Sequence, residues 1–250
     1  MEFSIPLAFE WRHLLFANWP IDPDRLDAHL PDALSVQTYD GAGWLTVVPF
    51  VNVDTRPRGL PERVGIDLPE LNLRTYVTHE GEPGVYFFSL DAPSVAAVLG
   101  ARLLHRLPYY YARMNCRWTG DEMAFSNRRL HPGDRPAHFE ASYGPDGEPF
   151  TPEPGGRAAF LTERRRLYTE GMDGAVRHTD VAHEPWTLYP ATMGVAENTL
   201  FEANGFDHPE ADPVCYYSPG VDVVTTRSKR RDRNGGLTDR LAAVRDRFDG

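Results

Sequence analysis

Short apolar runs, many of them alternating with polar residues, recur along most of the chain and break at proline, glycine and acidic clusters, a pattern that predicts a strand-rich protein. Residues 9–19 (FEWRHLLFANW) read as a first strand. Asp22-Pro23 starts a short helix through Leu26 and Leu30, ended by Pro31. Residues 36–39, a turn at Asp40-Gly41 and residues 44–53 predict a hairpin, with Pro49 placing its second strand at an edge or bulge. Residues 54–69 carry Pro57, Pro61 and Pro69 among mixed charges and read as a long irregular loop, placed to overhang a barrel mouth. From 70 to 77 the alternation is clean: Glu70, Asn72, Arg74 and Tyr76 share one face, and Leu71, Leu73, Thr75 and Val77 the other. Taken alone, that pattern describes a half-exposed strand with its polar face in water.

The centre of the chain divides into strand, helix and strand. Residues 85–90 suit a buried strand, and Asp91 is placed to cap a helix carrying Val95, Val98, Leu99 and Arg102. Pro108 stops that helix before Tyr109-Tyr110-Tyr111 opens the next strand. Further strands are predicted at 113–118, 123–128, 138–143 and 176–183, and at 214–224 as one strand or a pair, with a loop at 144–156. A short helix at 197–204 is closed by Gly205. The expectation is a mostly β (α+β) domain over residues 1–226.

At 250 residues the chain suffices for one sizeable core. Its formal charge of −10 disfavours polyanionic partners, so no nucleic acid is expected. Residues 227–250 form a basic, flexible C-terminal tail in this reading, with helical periodicity at 238–248. Of the 26 basic residues only Lys229 is a lysine. Cys116 and Cys215 read as free, buried thiols, and no apolar run reaches the roughly 18 residues of a span. A cytoplasmic protein without membrane attachment is expected, and a homo-oligomer is left open.

No His-Glu-x-x-His, Gly-x-Gly-x-x-Gly, Gly-x-x-x-x-Gly-Lys-Ser/Thr or Gly-x-Ser-x-Gly occurs, so neither metal nor cofactor is expected. His183 reads as a packed, hydrogen-bonded histidine and Arg164 to Arg166 as a solvated face. The order Ala101-Arg102, five residues, Pro108, Tyr109-Tyr110 resembles the central segment of the acetoacetate decarboxylase-like superfamily, most closely its YqjF-like branch. So do Trp11-Arg12, residues 22–26, 30–34, 160–168 and 214–224, and His183-Glu-Pro-Trp186. In the decarboxylases that segment reads Gly-Arg, five residues, Pro and two lysines; tyrosines stand at both lysine positions here.

The resemblance implies an acetoacetate decarboxylase-like antiparallel β-barrel with a few flanking helices. It directs Glu70 into the barrel, with the apolar face of that strand under outer helices, and it places Arg12 at a pocket-arginine position and Tyr109 at that of the reactive lysine. A Schiff base needs an amine, so the decarboxylase reaction is not expected. The ligand-binding candidates are Arg12, Glu70, Arg74, Arg102, Tyr109 and Tyr110. Arg102, with Arg12 or Arg74, suits a carboxylate; Glu70 and Tyr109 are the catalytic candidates. Three readings stand: a small-molecule-binding barrel, an acid–base lyase, isomerase or hydrolase, and a structural barrel in which Arg102 bridges Glu70 and the tyrosines fill the core.

Overall fold

The computed structural model describes residues 5–105, 107–171 and 173–230. The chain runs β1 (Leu7–Ile21), α1 (Pro23–Asp27), β2 (Ser35–Val36), β3 (Gly43–Pro57), a 3-10 turn at Glu62–Val64, β4 (Ile66–His79) and β5 (Glu82–Ala92). It continues through α2 (Val95–His105), β6 (Tyr109–Thr119), β7 (Glu122–Arg129), β8 (His138–Pro145), α3 (Arg157–Thr162) and β9 (Arg166–Glu170). The remainder is β10 (Val176–Ala182), β11 (Tyr189–Asn198), α4 (Leu200–Ala203), β12 (Val214–Thr225) and β13 (Lys229–Arg230). Among the described residues no helix is long and apolar enough to cross a membrane.

All thirteen strands join one sheet that closes on itself twice. The first circuit runs β5-β6-β7-β8-β11-β12-β1-β3-β4 and returns to β5. The second runs β4-β5-β9-β10-β12-β1-β3 and returns to β4. Strands β12, β1, β3, β4 and β5 therefore form a wall common to both. Pairing is antiparallel except where β5 meets β6 and β9; the connection from β5 to β6 passes through α2, as parallel neighbours require.

Because a strand's side chains alternate, the shared wall feeds two interiors. Leu15, Ala17, Leu45, Val47, Leu71 and Leu73 face the nine-stranded circuit and pack with Met123, Phe125 and Phe139 into a solid core. Leu14, Phe16, Val48 and Phe50 face the seven-stranded circuit with Trp186 and Val181. The apolar face of β4 thus packs mainly inside a second ring, not beneath outer helices.

The expected elements mostly form, with informative differences. Turn residues Asp40 and Gly41 adopt positive φ, but β2 pairs with β4 rather than closing a hairpin with β3. Half of residues 54–69 is strand: β3 and β4 pair as far out as Thr55↔Ile66, and Asp67 accepts the backbone N–H of Asp54 at the bulge. Pro49 sits where β1 bulges, between the pairs Arg12↔Val51 and Ala17↔Val47, so its missing N–H costs no ladder bond. Asp91 does not cap α2; it lies buried in β5, and Ser94 accepts the N–H of Ala97 instead. Lys229 and Arg230 pair with β10, extending regular structure past residue 226, whereas the helix expected at 238–248 lies outside the described residues. Both cysteines are free and half-buried.

Candidate functional site

The seven-stranded circuit encloses a cavity of about 360 Å³. Each of its strands contributes to the lining, with Tyr109 at the start of β6, Trp186, and residues Ala97, Gly100 and Ala101 of α2 beside them. The walls are mainly apolar and aromatic, including Trp11, Phe16, Phe50, Phe87 and Trp186. Thr55, Arg56, Pro57 and Ile66, at the outer end of the β3–β4 hairpin, complete the lining.

Glu70 on β4 projects into this space and is buried. Its Oε2 accepts hydrogen bonds from Tyr109 OH at 2.8 Å and from Asn52 Nδ2 at 3.0 Å. Burial pushes the carboxyl up to about 7, and the donors from Tyr109, Asn52 and Asn72 only partly offset it. Burial, and then the neighbouring carboxylate, hold the Tyr109 phenol well above its ordinary range, so it remains a donor. Asn72, between Glu70 and Arg74 on the same face, has a buried carbonyl oxygen with no partner.

Arg74 lines the cavity four residues along β4, its Nη2 donating to the carbonyl of Leu161 at 3.1 Å. Arg164 lines it as well, donating from Nε to Phe160 O at 2.7 Å and from Nη1 to Gln37 Oε1 at 2.9 Å. The expectation of a solvated face at Arg164 to Arg166 is therefore corrected for two of the three: Arg166 also reaches the cavity, paired with Asp180, and Arg165 alone is exposed.

The other expected site residues lie elsewhere. Arg12 sits on the outside of β1, ion-paired with Glu10 and with Asp222 at 2.9 Å. Phe9 and Trp11 face the cavity, so alternation along β1 turns Arg12 outward. The bulge follows it, where His13 has φ 56, and resets the alternation so that Leu14 and Phe16 face the cavity next. Arg102 belongs to a separate cluster beneath α2, with Nη1 2.7 Å from His131 Nε2 and its guanidinium 5.3 Å from the Tyr110 ring. It does not bridge to Glu70. Tyr110, pointing opposite to Tyr109, also carries the Arg129 guanidinium 4.2 Å from its ring. Arg129 in turn donates to the buried carboxylate of Asp91 at 2.8 Å, and Asn127 does so at 2.7 Å.

The sequence reading thus places Glu70, Arg74 and Tyr109 in one cavity, puts Asn72 on the same face without naming it a site residue, and misses Asn52 and Arg164. A longer β3–β4 hairpin was the available signal for Asn52, because its register sets Asn52 opposite Leu68 and Phe50 opposite Glu70. His183 is buried, as expected, with Nδ1 2.6 Å from the carbonyl of Glu184. Among the described residues no three His, Cys, Asp or Glu side chains gather as around a metal ion. The single lysine, Lys229, is exposed on β13.

Comparison with known proteins fits this geometry. A family model described as "uncharacterized conserved protein" matches residues 8–222. The uncharacterized protein YqjF of Bacillus subtilis (strain 168) is 43% identical over 215 residues, covering 86% of this chain and 88% of that protein. Among solved structures, the enduracididine biosynthesis enzyme MppR complexed with pyruvate superposes with a TM-score of 0.66 at 14% identity, covering 92% of this chain and 91% of its own. Acetoacetate decarboxylase from Legionella pneumophila gives a TM-score of 0.61 at 15% identity, covering 92% and 88%. These structures establish a shared acetoacetate decarboxylase-like fold.

Proposed function

The chain belongs to the YqjF-like family of uncharacterised conserved proteins, and from that premise we propose that its cavity binds small carbonyl- or carboxylate-bearing molecules without a covalent bond. The observation that carries this reading is the Glu70 carboxyl, buried against the cavity, donated to by Tyr109 and Asn52, and raised to about 7. Such a group donates a hydrogen bond to a ligand oxygen when protonated and accepts one when ionised. Apolar walls around a few convergent polar groups are the usual composition of a small-molecule site. A structural neighbour complexed with pyruvate, a 2-oxo acid, supports the ligand class.

Schiff-base chemistry is not available in this reading. Tyr109 stands where the resemblance places the reactive lysine, and a phenol forms no imine. Lys229, the single lysine, is exposed on β13 and does not line the cavity. The protein is accordingly not an acetoacetate decarboxylase.

A second reading draws on the same carboxyl. A group titrating near neutrality is suited to abstract or return a proton beside a carbonyl, which would make the protein a lyase, isomerase or hydrolase acting through Glu70 and Tyr109. Calorimetry against keto, hydroxy and aromatic acids, with NMR in D2O to follow exchange at the carbon next to the carbonyl, separates the readings. Binding without exchange, weakened by Glu70→Gln, is the expected result. Exchange abolished by Glu70→Gln with affinity intact supports the enzyme, and failure of every class to bind would leave a purely structural barrel.

A further inference from the structure

Arg74 and Arg164 have no carboxylate partner among the ion pairs of the described residues. Buried or half-buried arginines usually have one, because an uncompensated charge in a low-dielectric site is costly. Here two guanidinium groups share the Tyr76 ring, with Cζ atoms 5.8 and 5.2 Å from its centroid, and both residues line the cavity. Arg74 also lies 5.4 Å from the Phe16 ring. Burial, with some help from Arg74, pulls Arg164 down to about 10.

Capping of α3 explains part of this arrangement. The carbonyls of Phe160 and Leu161 accept from Arg164 Nε and Arg74 Nη2, as cationic side chains do near a helix C-terminus. Each guanidinium carries five N–H donors, however, and capping uses few of them. Arg74 Nε and Arg164 Nη2 are buried without any partner. Two guanidinium groups in the wall of a mainly apolar cavity, without a carboxylate partner and with donors left unpaired, make a built receptor for one anion.

Position fixes what kind of anion. Glu70, Asn72 and Arg74 follow one another on one face of β4, so the Cα atoms of Glu70 and Arg74 lie about 13 Å apart at the usual rise per residue. The cavity is therefore bipolar, with Glu70, Tyr109 and Asn52 at one end and Arg74 and Arg164 at the other. A short acid reaches one end only. We propose that Arg74 and Arg164 form a carboxylate-binding pole, so that the preferred ligand is an elongated acid with an apolar or aromatic body and a carbonyl or hydroxyl at its far end. Its carboxylate lies on the arginines, its body against Phe16, Phe50 and Phe87, and its second oxygen function at Glu70 and Tyr109. This inference rests on the reading of Glu70 as a ligand-facing group.

The test uses the whole protein and three probes: 3-(4-acetylphenyl)propanoate, its primary amide, and 4-propylacetophenone, which keeps the ketone and ring without the acid. Isothermal titration is expected to show the acid binding about tenfold or more tighter than its amide. Arg74→Gln is expected to abolish that advantage and leave 4-propylacetophenone unchanged, while Glu70→Gln weakens all three. Equal affinity of acid and amide for the unaltered protein overturns the arginine pole, and needs no variant that has lost the α3 cap. If that equality is accompanied by ketone binding sensitive to Glu70→Gln, the reading of Glu70 survives. An acid advantage that persists in Arg74→Gln and in Arg164→Gln, with both variants folded by circular dichroism, also overturns the pole. Absence of acid binding at millimolar concentration does the same.

Discussion

Glu70 carries a large electrostatic penalty, and its sign sets a pH dependence. The carboxyl is raised from 4.5 to about 7 in the folded protein. Between those values the unfolded chain ionises first, so the contribution of this group to stability is most favourable below about pH 4.5 and declines as pH rises through 7. A shift of this size corresponds to roughly 3 kcal/mol. Glu70→Gln keeps a carbonyl oxygen that can accept from Tyr109 and Asn52 and removes the charge. It is expected to flatten this slope and to raise stability at pH 8 by up to about 3 kcal/mol, measured by urea unfolding across pH. Unaltered slope in the variant would assign the pH dependence to other groups. At this scale the sequence was partly legible. Alternation alone put Glu70 and Arg74 on one face, and the resemblance supplied its direction and that of Tyr109. Arg12 was put in the pocket by the resemblance alone, whereas the alternation of β1, with Phe9 and Trp11 in the cavity, turns it outward. Arg164 was misjudged because three consecutive arginines look solvated until α3 and β9 turn the first into the cavity.

Among the elements, β5 is tied to β7 across β6 by the buried ion pair of Asp91 and Arg129, reinforced by Asn127. Asp91 is wholly buried and Arg129 is 3% exposed. Removing one partner strands the other charge, so Asp91→Ala or Arg129→Ala is expected to cost about 3–5 kcal/mol. Asp91→Leu combined with Arg129→Met is expected to cost clearly less. A double variant as unstable as either single one would contradict that origin. A second element-level constraint lies where β12 crosses the β1 bulge. Gly220 has φ +134, and a Cβ there would sit 2.0 Å from the carbonyl oxygen of Trp11. Gly220→Ala is expected to destabilise by about 1–3 kcal/mol, read from the shift in denaturation midpoint. Most strands were legible from alternation. β11 was not, because Tyr189-Pro-Ala-Thr-Met-Gly offers small residues, a proline and a glycine where a strand signal needs branched or aromatic ones. The outer β3–β4 hairpin was hidden by its prolines, which are tolerated beside the bulge at Asp54.

The whole molecule is two rings with one wall, and that geometry decides where chemistry can occur. In a single-layer sheet, a strand alternating polar and apolar residues normally gives one face to water. The wall strand β4 gives its apolar face to the packed ring and its polar face to the hollow one, so both are interior. Alternation therefore could not separate a cavity from solvent, and only the closure of the sheet does so. The hollow ring is closed by short seams, Val85↔Leu167 with Tyr86↔Tyr168 on one side and Val181↔Thr225 with Ala182↔Val224 on the other. Amides of β9 and β10 are expected to exchange with deuterium well before those of β1, β3 and β4, as ligand-admitting segments do. Uniform protection would mean the ring does not open at these seams.

Whether the hollow ring holds a tuned acid is tested most directly by a carbon-13 NMR titration of the Glu70 carboxyl, assigned by comparison with Glu70→Gln. A midpoint near 7 that moves when pyruvate or 3-(4-acetylphenyl)propanoate is added is the expected result. A midpoint at the ordinary glutamate value, indifferent to both compounds, would place that carboxyl in water and contradict the cavity as a binding site.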